Sequence, residues 1–109
     1  MTDWSSFHVR AFVLKVKDGQ LDAYRRRHAE IWPEMAAALR ESGIVHYDIF
    51  LDAAGRQVFG HQLWSSPPDP AAPEHPVILR WRQSMADILE MDGDKPLRTP
   101  IEHVFHLTA

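Results

Sequence analysis

Five of the eight prolines fall between Ser65 and Pro76, at positions 67, 68, 70, 73 and 76, and this stretch limits the fold more than any other. Proline fixes its own φ and has no N–H to donate, so neither a helix nor an interior strand can run through it. The prediction is a stiff surface loop with regular structure on either side. Loops of this length inside compact domains are often lids or binding loops; an overhang above a pocket, an oligomer contact and a tolerated insertion are all open readings. Pro33 acts differently, because it interrupts a helical pattern at a place where a first helical turn tolerates proline. Two helical pieces with a break near Trp32 are therefore predicted.

The remaining elements follow from periodicity. Val9 to Val16 alternates as a strand, with Phe12, Leu14 and Val16 on one face and Val9, Ala11 and Val13 on the other. Asp18-Gly19 supplies a turn into the first helix, whose second piece, Glu34 to Ser42, stops at Gly43. A strand from Ile44 to Leu51, a turn at Asp52-Ala53-Ala54-Gly55 and a strand from Gln57 to Trp64 form a hairpin. A second helix is predicted from Val77 to about Met91, ended by Asp92-Gly93-Asp94, with Glu102 to Leu107 as a fourth strand. The order is β-α-β-β-α-β, an α+β ferredoxin-like sandwich, as a single domain spanning residues 1–109. Helices cover only one side of such a sheet. The other side is also apolar, which predicts a homodimer with sheets face to face, a dimeric α/β barrel.

Composition excludes several functions. A net charge of −3 and a pI near 6.1 give no footprint for nucleic acid. No apolar run approaches the ~20 residues of a membrane helix, and the first residues lack the pattern of a signal peptide, so a cytoplasmic protein with no membrane partner is expected. Without cysteine there is no disulfide, thiol nucleophile or thiolate zinc site. None of the seven histidines has ligand spacing, His103 and His106 being three apart on a predicted strand, so no metal is assigned. The glycines are scattered and form no phosphate loop, so no cofactor is expected.

The chemistry concentrates in Tyr24 to Glu34, which reads Tyr-Arg-Arg-Arg-His-Ala-Glu-Ile-Trp-Pro-Glu. Helical spacing puts Tyr24 and His28 on one face, continued by Ile31 and Trp32. A phenol, an imidazole and an indole facing one space can hold a sugar: aromatic planes cover its C–H faces, the phenol hydrogen-bonds, and the imidazole exchanges protons near neutral pH. Aromatic residues at this spacing are more often plain core, and Arg25 to Arg27 a solvated flank. His28 is the best candidate acid or base.

The chain resembles the L-rhamnose mutarotase family over nearly its whole length. The likeness rests on Tyr24-Arg-Arg-Arg-His28 followed by Ile31-Trp-Pro-Glu34, on Gly43 with Tyr47-x-Ile-x-Leu51-Asp52, on His75-Pro-Val77, and on Trp81 with Met85-Ala-Asp87. The resemblance implies a dimeric isomerase, free of metal and cofactor, that interconverts the α and β anomers of a monosaccharide, L-rhamnose. It implies sugar contacts at Tyr24, His28 and Tyr47, proton donation by His28, and stacking by Trp81. Arg82 stands where the family usually has a second tryptophan, and this bears on the choice of sugar, with L-fucose or another deoxyhexose as the alternative if Arg82 faces the pocket. The base that partners His28 is not assigned. A cofactor-free monooxygenase and a non-catalytic sugar-binding dimer are the competing classes for this fold.

Overall fold

The computed structural model describes residues 6–107. In chain order the elements are β1 (His8–Lys15), α1 (Leu21–Ala29), α2 (Pro33–Glu41), β2 (Ile44–Asp52), β3 (Gln57–Trp64), α3 (Pro76–Ser84), β4 (Met91–Asp92), β5 (Lys95–Pro96) and β6 (Thr99–Ile101). The long strands form one antiparallel sheet in the order β2-β3-β1-β6. The hairpin strand β3 therefore lies between β1 and β2, and the helical connection from β1 to β2 crosses over it. This is the ferredoxin-like arrangement.

The pleat sorts side chains by face. Phe12 lies opposite Gly60, Leu14 opposite Val58, and Tyr47 opposite Gln62, and these residues face the helices. The core between sheet and helices is built on Val16, Tyr24, Met35, Ala38, Val58, Ile78, Trp81, Met85, Ile88 and Leu89. Gly60 is required by packing: a β-carbon there would come 2.5 Å from the tip of the Phe12 ring, so only glycine leaves room for that ring across from it. On the opposite side, Phe50, Phe59 and Ile101 remain exposed.

Two elements depart from the sequence-based expectation. The last helix ends at Ser84 rather than near Met91, because residues 85–90 turn back to the end of β1. There the Lys17 N–H donates to the Ile88 carbonyl at 2.8 Å, the Glu90 N–H donates to Lys15 at 2.9 Å, and Leu89 bridges Val16. Ile88 and Leu89 keep a helical period in sequence yet are buried through this pairing. The fourth sheet strand is Thr99–Ile101, not Glu102 to Leu107, and it pairs with Ala11, Phe12 and Val13. It contains Pro100, which the sheet tolerates because β6 is an edge strand. Asp92-Gly93-Asp94 closes a small β4–β5 hairpin, with Gly93 at φ +65°, instead of ending a helix.

Other features agree with expectation. α1 and α2 are separate, Pro33 opens α2, and Gly43 follows α2 at φ +109°. Among the described residues, no helix is long and apolar enough to cross a membrane.

Candidate active site

The helices stand off the sheet around a cleft of about 1290 Å³. Its aromatic wall is formed by Tyr24 and His28 of α1 and Trp81 of α3, and the break between α1 and α2 backs it. Trp32 is the N-cap of α2, with an extended backbone, so the chain changes direction at the residue before Pro33. Its ring packs edge-on against Trp81 of α3 with centroids 5.1 Å apart, and Ile31 lines the cleft. Further along α1, Tyr24 and His28 stack at 4.1 Å, and His28 meets Trp81 edge-on at 5.6 Å. The structure thus brings together Tyr24, His28, Trp32 and Trp81.

His28 has a defined tautomer in this geometry. Its Nδ1 lies 3.0 Å from the Tyr24 carbonyl oxygen, which can only accept, so Nδ1 carries the proton and Nε2 keeps its lone pair. Burial lowers the His28 pKa, against the smaller upward pull of that hydrogen bond. The neutral imidazole is therefore the resting form at pH 7. Burial raises the pKa of Tyr24, helped by nearby Tyr47, so its phenol stays protonated.

Tyr47 of β2 marks the floor of the cleft. Its ring meets Phe12 edge-on at 6.3 Å, and it lies directly across from Gln62, whose side-chain carbonyl oxygen accepts from Trp64 Nε1 at 2.9 Å. Burial raises its pKa, while Gln62 and the guanidinium groups of Arg98, Arg82 and Arg10 oppose the rise. Arg82 lines the cleft and donates to Glu74, so it does not point away into solvent. The Pro-rich loop borders the same cleft through Pro68, Pro70 and Pro73. Its end is fixed by His75, which accepts from the Val77 N–H through Nδ1 at 3.2 Å and donates through Nε2 to Glu41 at 2.9 Å.

Sequence reasoning missed Arg10, Gln62 and Arg98 as cleft residues. Gln62 left a signal, since it is a polar residue on the inward face of β3, directly opposite Tyr47. Arg27, read as solvated flank, instead forms a two-pronged pair with Asp87, both bonds at 3.0 Å, and holds that carboxyl below its usual range. It ties α1 to the segment after α3. His103 and His106 lie outside any strand, with ring centroids 6.3 Å apart. His46 and Asp48, two residues apart on β2, converge with His61 of β3, with one potential ligand atom each within 4.8 Å, a grouping that could hold a cation.

Fold and cleft together define the class: a ferredoxin-like α+β protein with a large cleft, one wall of which is aromatic and holds His28 between two rings. A family profile described as L-rhamnose mutarotase matches residues 10–107. The chain is 41% identical over 105 residues to an L-rhamnose mutarotase of Acidiphilium cryptum, covering 89% of this chain and 95% of that one. It is 43% identical over 99 residues to one from Flavobacterium johnsoniae, covering 89% and 92%. The crystal structure of an L-rhamnose mutarotase from Formosa agariphila superposes with a TM-score of 0.80 at 30% identity, covering 93% of this chain and 99% of that one. The chain belongs to the L-rhamnose mutarotase family.

Proposed function

We propose that this chain is a cytoplasmic mutarotase, a single domain over residues 1–109, that interconverts the α and β anomers of L-rhamnose as a homodimer. The observation that carries the reading is His28, held neutral with a free Nε2 between the Tyr24 and Trp81 rings in the cleft. The names of its relatives agree with it.

The chemistry needs one proton moved between two oxygens on one carbon. Nε2 of His28 takes the proton of the anomeric hydroxyl. The C1–O5 bond then breaks as C1=O forms, and the ring oxygen receives the same proton back from the imidazolium. Rotation about C1–C2 and the reverse steps close the other anomer. Both oxygens are bonded to C1, so one nitrogen reaches each in turn, and no separate base is required. The Tyr24 and Tyr47 phenols orient sugar hydroxyls, and Trp81 covers an apolar edge of the ring.

Support for the homodimer comes from the uncovered face of the sheet. Phe50 is 62% exposed there, and beyond β6 the tail residues Val104, Phe105 and Leu107 are 84%, 77% and 78% exposed. Apolar surface of this kind marks a partner contact.

A pH profile tests the resting state of His28. If the neutral imidazole starts the cycle, kcat/KM falls as pH drops, with a midpoint below the ordinary histidine value of about 6.5, and is level above it. A profile that instead falls with rising pH through that range would require the protonated form and reject this assignment. The primary test of the activity is direct observation of anomer exchange in L-rhamnose on addition of the protein.

A further inference from the structure

One end of the cleft is basic in a way that a neutral sugar leaves unused. Arg10 on β1, Arg82 on α3 and Arg98 just before β6 line it around Tyr47. Arg82 pairs with Glu74, but among the described residues neither Arg10 nor Arg98 has a carboxylate within salt-bridge distance. Asp69, also on the rim, accepts from the Ala71 N–H instead. The Arg98 guanidinium lies 4.9 Å from the centre of the Phe12 ring, held over the cleft floor. Burial and the neighbouring Arg10 and Arg82 charges bring its pKa down to about 10, and burial with Arg82 lowers Arg10 as well. Gathering like charges in a partly desolvated cleft costs free energy. A docked anion relieves that cost, and guanidinium groups bind carboxylate and phosphate in a two-pronged geometry.

The aromatic and basic ends are close enough for one small molecule. Tyr24 of the aromatic wall interacts electrostatically with Tyr47 at the basic end, and Trp81 and Arg82, consecutive on α3, both line the cleft. We propose that the cleft also accepts monosaccharides carrying a carboxylate or phosphate group, with the ring against Tyr24, His28 and Trp81 and the anion held by Arg10, Arg82 and Arg98 beside Tyr47. The proposal rests on the mutarotase reading for its reaction, but the anion subsite can be tested without turnover.

Anomer exchange is measured for D-galacturonate and D-mannose 6-phosphate beside D-galactose, D-mannose and L-rhamnose. At least one acidic sugar is expected to show a protein-dependent exchange rate, taken above its own protein-free rate, about tenfold greater than that of its neutral counterpart at equal subsaturating concentration, the scale of one or two charge-assisted hydrogen bonds. Preference for the uronate identifies a carboxylate subsite, and preference for the phosphate ester a phosphate one. Acceleration of L-rhamnose with no advantage for either acid, together with no saturable binding of either, overturns the proposal and leaves the mutarotase reading in place. Binding is followed separately by shifts of the tryptophan indole N–H signals during titration with D-galacturonate, D-mannose 6-phosphate and inorganic phosphate. Saturable shifts that weaken about tenfold in Arg98→Gln, and likewise in Arg10→Gln, support the subsite even if no exchange is catalysed. Absence of saturable binding by all three anions overturns it.

Discussion

His28→Ala is expected to lower catalysed anomer exchange about 100-fold or more while the protein stays folded. The imidazole is the one group in the aromatic wall that can take and return a proton near pH 7; Tyr24 beside it is pushed further from titration by burial. Removing the ring leaves the cleft walls in place, because Tyr24 and Trp81 are anchored in the core independently of it. Binding of the sugar should therefore weaken much less than turnover, so the loss appears mainly in kcat. Circular dichroism and the unfolding midpoint establish that the fold persists, and exchange spectroscopy measures the rate. Near-normal exchange in folded His28→Ala would remove the histidine from the mechanism.

Trp81→Ala is expected to cost about 3–5 kcal/mol of stability, the usual range for deleting a large buried aromatic side chain. Trp81 is 8% exposed and belongs to the main core cluster. It also receives Trp32 from the start of α2 and His28 from α1, so its indole is where three helices meet. Truncation opens a cavity that these neighbours cannot fill without moving the helix break. Urea unfolding of the two proteins measures the difference. A loss below about 1 kcal/mol would show that the site collapses readily and that Trp81 is not the packing centre described here.

The parts of the fold legible in sequence are those fixed by local chemistry. Alternation from Val9 to Val16, the hairpin turn between Asp52 and Gln57, and the constraints of Pro33 and the 67–76 prolines each act within a few residues, and each element forms nearly where expected. The errors occur where tertiary pairing overrides a local pattern. Ile88 and Leu89 satisfy a helical period, but their burial comes from backbone pairing with the end of β1, and no feature of residues 85–90 announces that partner. Pro100 argues against a strand unless it is known that the strand lies at an edge.

The site divides in the same way. Tyr24 and His28 are four residues apart on one helix, so helical geometry alone puts them together. Arg10, Arg82 and Arg98 come from a strand, a helix and a loop, and no spacing rule links them. Asp48 and His61 are intermediate: once the hairpin turn is placed, its register sets them opposite each other, so an inspection of cross-strand pairs would have found the grouping with His46 that spacing along the chain did not.

The central claim is that this cleft opens and closes a sugar ring, and saturation-transfer NMR on L-rhamnose measures that event against its spontaneous rate. With protein present, saturating one anomeric proton should deplete the signal of the other anomer, in proportion to protein concentration, while the signal in protein-free solution is unchanged on the same timescale. L-fucose run in parallel reports whether Arg82 broadens or shifts the choice of deoxyhexose. Folded protein that leaves the exchange of L-rhamnose and L-fucose at the spontaneous rate would contradict the account.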